Sequence, residues 1–126
     1  MRIGELATAT GATPRALRLY EAEGLLASER ASNGYREFSA RAVVRVRNIR
    51  ELLALGFTIG DVRTFVPHLD QELPPVFGDT APCETSMRVG RERLATLRAR
   101  IDALTVLHDR IATRLGGSEA GSFPPE

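Results

Sequence analysis

IGELATATGATPRALRLYEAE, running from Ile3 to Glu23, decides the fold of this chain. It reads as two short helices joined by a tight turn, with Ala7, Gly11 and Leu17 at the A-x3-G-x5-L spacing of a helix-turn-helix. Each position has a physical reason. A small Ala7 lets the helices cross closely, Gly11 takes the positive φ that a short turn requires, and Leu17 plugs the second helix onto the first. Leu6 and Tyr20 complete the inner face, and Arg15, Arg18, Leu19 and Glu23 are left pointing outward. Thr13 stands where an N-cap belongs, and Pro14 at the first helical turn gives up an N–H that has no partner there anyway.

Working outward, the charge pattern singles out the same region. All 17 basic side chains are arginines, so guanidinium forks are the only cationic tools available. The formal net charge is only +1, yet residues 1–50 carry +4, residues 51–82 carry −4 and residues 83–126 carry +1. Positive charge is concentrated where the helix-turn-helix lies, the distribution of a DNA-contacting face. The alternative is an ordinary helical hairpin with a solvated arginine face. At 126 residues the chain is one domain, or a small domain with an extension, large enough to hold a core without disulfides. A single cysteine, Cys83, fits a reducing compartment, and no apolar run approaches a membrane span. The expected location is cytoplasmic.

After Glu23, Asn33-Gly34 predicts a two-residue hairpin with Tyr35 and Phe38 on its strands. A hairpin directly after a helix-turn-helix is a wing, with Arg30 and Arg36 flanking the tip and Tyr35 offering a hydroxyl to a phosphate. Ser39 then caps a helix whose apolar stripe is Ala42, Val46, Ile49 and Leu53. Arg41, Arg45, Arg47 and Arg50 surround that stripe, solvated, paired with Glu51 or bracing a DNA backbone. Gly56 ends this helix, and Thr58 with Asp61 opens the next as a capping box, so residues 52–66 form a second helix pair. Residues 67–82 hold four prolines and three acids and read as a connector, with one helical turn at 69–73 and a lone His68, structural or solvated.

The last element is a long helix over residues 84–115. Leu94, Leu97, Ile101, Leu104, His108, Ile111 and Leu115 alternate three and four apart, with Met87 and Gly90 on the same register. A narrow heptad seam on a helix about 48 Å long is not buried by the helix itself. Its economical partner is the same helix from a second copy; packing on residues 52–66 is the alternative. Residues 116–126 have the Gly/Ser/Pro content of a flexible tail.

The order of these parts resembles the MerR family of transcriptional regulators, through IGELATATGATPRALRLYEAEGLL, NGYREFS and IRELLALGFTIGDV. The resemblance implies a mainly α fold: a winged helix-turn-helix head over 1–66, the connector 67–82, a long antiparallel coiled-coil dimerisation helix over 83–115 and the tail 116–126. It implies a homodimer that binds double-stranded promoter DNA and distorts an overlong spacer so that RNA polymerase engages both promoter elements. Carried over by motif, Arg15 and Arg18 are the expected base-edge or phosphate contacts, and Tyr20, Tyr35 and Arg36 the backbone clamp. The chain departs from the family at Leu19, where an aromatic is usual; leucine cannot donate to a phosphate.

For an effector, Cys83 and His108 are the candidate residues. Metal sensors of the family add a cysteine pair after the dimer helix, and everything beyond Leu115 here lacks Cys and His. No metal and no cofactor is expected. A thiol switch at Cys83, a small ligand between coiled coil and head, and no effector at all stay open. With no nucleophile–base arrangement and no phosphate loop, an enzyme is not expected. Two rivals remain: an architectural or recombination-type DNA-bending protein with the same winged head, and a coiled-coil interaction module whose head no longer binds DNA.

Overall fold

Capping chemistry within a few residues sets most of the helix boundaries. A computed structural model describes residues 1–77 and 84–116 of the chain. Helix α1 (Ile3–Thr10) begins where the Glu5 carboxylate accepts the Arg2 N–H at 2.8 Å. It ends at Gly11, whose φ of 79° lets its N–H return to the Ala7 carbonyl at 2.8 Å. Helix α2 (Pro14–Ala22) starts with Thr13 Oγ1 accepting the Ala16 N–H at 3.0 Å. Leu6 and Leu17 are fully buried between the two helices, as the spacing predicted.

The wing is antiparallel, β1 (Glu29–Arg30) with β2 (Arg36–Glu37), in the register Arg30↔Arg36. Its tip differs from the expected two-residue turn. The Gly34 N–H closes onto the Ala31 carbonyl at 2.9 Å, Ala31 N–H bonds to the Tyr35 carbonyl at 2.8 Å, and Gly34 has φ 87°. This is a three-residue hairpin loop. A two-residue type I′ turn needs positive φ at Asn33 as well, and every positive φ among the described residues belongs to glycine. Asn33 contributes its side chain instead, accepting the Tyr35 N–H at 3.1 Å.

Helix α3 (Arg41–Ala54) buries Ala42, Val46, Ile49 and Leu52, with Leu53 only half-buried. Ser39 does not cap it: the N-cap is Ala40 in helical conformation, and the Ser39 backbone carbonyl accepts Ala42 N–H at 3.0 Å. Helix α4 (Ile59–Arg63) carries the expected capping box, with Thr58 and Asp61 exchanging two 3.0 Å bonds. It is only five residues long, and a 3₁₀ turn (Val66–His68) follows, so the helical turn expected at 69–73 lies earlier, at Pro67. Leu69 and Leu73 are buried in the core, and Asn48, 4% exposed, donates to the carbonyls of Leu69 and Gln71 at 2.8 and 2.7 Å. Phe65 meets both Phe57 and Phe77 edge to face, with centroids 5.5 Å apart in each of the two pairs.

Helix α5 (Glu84–Arg114) spans two compact units, a head of Met1–Gly90 and a second unit from Arg91 on. Within the head, Ser86 Oγ donates to the Thr64 carbonyl at 2.6 Å, and a methyl at Gly90 would lie 3.9 Å from Phe57. Met87 and Gly90 therefore belong to the head. In the second unit Leu94, Ile101, Leu104, Ile111 and Leu115 are exposed on one side of the helix. Cys83 and residues 117–126 lie outside the described residues. Among the described residues no helix is long and apolar enough to cross a membrane.

Candidate nucleic-acid interface

Helix α2 buries Leu17 and Tyr20, which leaves Arg15, Arg18, Leu19 and Ala22 on the opposite side, all exposed. Among the described residues neither Arg15 nor Arg18 has a hydrogen-bond or ion-pair partner, so both forks are available to a ligand. Leu19 stands beside them, 46% exposed. Tyr20 is the correction. At 5% exposed its ring is core, not outer face, and burial raises its phenol above the ordinary range, with the positive charge of Arg50 acting against that rise. The predicted inner-face role stands, and the backbone clamp does not rest on this ring.

The wing brings its side chains toward the same helix. Tyr35 is 58% exposed, and the Arg2 guanidinium lies 4.3 Å over its ring. Arg30 Nη1 donates to the Gly34 carbonyl at 2.8 Å and steadies the tip. Arg36 Nη1 pairs with Glu21 Oε1 at 3.1 Å, and Ser28 Oγ donates to the other Glu21 oxygen at 2.5 Å. One ion pair occupies part of a five-donor fork, and the Arg36 side chain is still 50% exposed. Glu21 thus orients Arg36 without burying it.

Between α2 and the wing runs a groove of about 310 Å³ lined by Arg2, Ile3, Arg18, Arg30, Gly34, Tyr35 and Arg36. Four guanidiniums and a phenol around one concavity suit a phosphodiester, since guanidinium forks match phosphate oxygens two at a time. The structure therefore assembles Arg18, Tyr35 and Arg36 from the predicted set. Arg15 stands outside the groove, nearly one turn earlier on α2, and Tyr20 faces inward. Arg2 and Arg30 enlarge the set. Arg30 was visible at the tip; Arg2 carried no signal, because its partner Tyr35 is remote in sequence.

None of the α3 arginines lines this groove, and three of the four are engaged within the fold. Arg47 Nη2 donates to the Ala9 carbonyl at 3.1 Å and Arg50 Nη1 to the Thr10 carbonyl at 2.6 Å, satisfying the last carbonyls of α1. Arg45 donates to the Leu25 carbonyl at 2.6 Å and pairs with Asp70 at 2.9 Å. Of the two candidate effector residues, only His108 is described. It is exposed on α5, with Nδ1 3.0 Å from Asp109 Oδ1.

Residues 1–69 match the family described as MerR HTH family regulatory protein, and residues 43–114 match the one described as MerR, DNA binding. The chain is 37% identical over 119 residues to the nodulation protein NolA of Bradyrhizobium elkanii, covering 94% of this chain but 48% of NolA. It therefore spans about half the length of that relative. Against a homologue of the HTH-type transcriptional activator SoxR from Chromobacterium violaceum it is 33% identical over 114 residues, covering 90% of this chain and 73% of the relative. PbrR691 of Ralstonia metallidurans CH34, a transcription regulator solved in complex with lead(II), superposes with a TM-score of 0.72 at 25% identity, covering 90% of this chain and 83% of its own. A turn glycine, a winged arginine groove and two family matches that together run from residue 1 to residue 114 place the chain in the MerR family of helix-turn-helix regulatory proteins.

Proposed function

We propose that the protein is a sequence-specific DNA-binding transcriptional regulator that acts as a homodimer on promoter DNA. Arg15 and Arg18 contact base edges in the major groove, while Arg36, Tyr35, Arg2 and Arg30 hold the flanking phosphates. The observation that carries this reading is the pair of guanidiniums on the outward face of α2, Arg15 outside the four-arginine groove and Arg18 on its lining. A bidentate arginine–guanine contact contributes about 1–3 kcal/mol of discrimination per base. The exposed leucine and isoleucine stripe on α5 supports dimerisation, because burying each such side chain against a second copy contributes roughly 1.5–3 kcal/mol. Two heads related by a two-fold axis then read an inverted repeat.

Regulation in this reading uses deformation energy. The dimer bends or untwists an overlong promoter spacer, the cost being offset by its contacts, so that RNA polymerase engages both promoter elements in response to a signal that Cys83 or His108 helps to receive. The test begins with selection of bound duplexes from a random-sequence library. An inverted repeat should emerge, and transcription in vitro from a promoter carrying it within a long spacer should rise when the protein is added. Enrichment without any change in transcription would favour a purely architectural DNA-bending role. No enriched sequence would refute specific recognition.

A further inference from the structure

Helix α2 is nine residues long and buries only Leu17 and Tyr20. With so few buried anchors, the helix also takes its tilt and roll from what holds its flanks: arginines from two other helices bind the turn that precedes it and the cap that ends it. On the N-terminal side, Arg50 of α3 donates at 2.6 Å to the Thr10 carbonyl, the last of α1, and a methyl on Gly11 would lie 2.9 Å from the same Nη1, so Arg50 holds the turn that leads into α2. At the C-terminal end, Glu23 is the C-cap of α2. There Arg63 of α4 donates through Nε to the Glu23 carbonyl at 3.3 Å, and its Nη2 pairs with the Glu23 carboxylate. Neither arginine lines the groove beside the wing.

We infer that Arg50 and Arg63 are positioning residues for base reading: they fix the angle at which α2 presents Arg15 and Arg18 without touching DNA themselves. The inference rests on the DNA-binding function proposed above. Base-edge contacts demand placement within about 0.5 Å and 10–20°, tighter than two buried anchors alone impose on a short helix. Non-specific phosphate binding carries no such demand, because it is set mainly by the number of charges near the backbone. Removing a clamp should therefore degrade specificity and spare non-specific affinity.

Arg50→Lys and Arg63→Lys keep the charge and lose the planar fork, and Glu23→Gln breaks the same C-terminal clamp from the other side. Each variant is titrated, alongside the natural protein and with melting temperatures recorded, against a duplex selected from a random library and against mixed-sequence duplex across a salt series. The lysine variants should lower the ratio of the two affinities roughly tenfold, the scale of one charge-assisted hydrogen bond, with the salt slope unchanged. Glu23→Gln is the sharper arm. Loss of an acid should tighten mixed-sequence binding while loss of the clamp weakens binding to the selected duplex.

Equal tightening on both duplexes would overturn the clamp. So would a lower melting temperature with an unchanged ratio, which marks a purely structural role. In Arg50→Ala or Arg63→Ala, a salt slope reduced by about 0.9 would make that arginine a phosphate ligand and also overturn it. Absence of any mixed-sequence binding by the natural protein at low salt would instead overturn the DNA-binding reading on which the clamp depends.

Discussion

Replacing Gly11 by alanine probes the turn on which the head is built. Two costs are separable. Gly11 sits at φ 79°, and a non-glycine residue in that left-handed region costs about 1–2 kcal/mol. A Cβ there would also lie 2.9 Å from Arg50 Nη1. The guanidinium is the far end of a flexible side chain and swings aside at little steric cost. What is lost is its bond to the Thr10 carbonyl, about 1 kcal/mol for a partly exposed pair. Gly11→Ala should therefore destabilise the protein by about 2–3 kcal/mol, which lowers the melting temperature by roughly 8–24 °C for a head of this size. Circular dichroism melts at one fixed protein concentration provide the assay, since dimerisation makes the midpoint depend on concentration. In an Arg50→Ala background the second cost has already been taken, so Gly11→Ala should cost only about 1–2 kcal/mol, a coupling near 1 kcal/mol. Strictly additive costs would refute the wedge of Arg50 against the turn, and a melting temperature unchanged by Gly11→Ala would refute the strained-turn argument as a whole.

Further outcomes follow from other contacts. Asn48→Ala leaves the carbonyls of Leu69 and Gln71 without their donor in a buried place, and should cost roughly 2–3 kcal/mol in urea unfolding. Leu104→Glu puts a charge into the α5 stripe and should convert the protein from dimer to monomer by sedimentation; an unchanged mass would exclude the stripe as the dimer contact. Because the folded-state phenol of Tyr20 titrates above its unfolded value of 10.0, its contribution to stability is constant below pH 10 and falls as pH rises from there through the folded value. Tyr20→Phe should flatten that alkaline loss in pH-dependent melts.

Features governed by near neighbours were legible in the sequence. The Gly11 turn, the Thr13 cap, the Thr58–Asp61 box and the extent of α5 each depend on residues within about four positions, where local rules hold. Long-range polar contacts were not. Arg45, Arg47 and Arg50 looked like surface or DNA-facing charge because their partners, Ala9, Thr10, Leu25 and Asp70, are 20 to 40 positions away. Asn48 likewise gave no signal, since an asparagine in a helix announces its carbonyl partners only once the chain has folded back. The hairpin was predicted in the right place with the wrong loop, because Asn-Gly permits two positive φ values without compelling them. In the candidate site, Arg15, Arg18, Tyr35 and Arg36 came from the motif. Arg2 needed the fold, and Tyr20 was assigned to phosphate although its helical phase already placed it beside Leu17.

The most direct test of base reading by α2 is the salt-dependent affinity of Arg18→Ala for the selected inverted repeat and for mixed-sequence DNA. The proposed interface predicts a loss of about 1–3 kcal/mol on the selected duplex beyond the loss on mixed sequence. Equal losses on both duplexes would contradict it, reducing Arg18 to a phosphate contact.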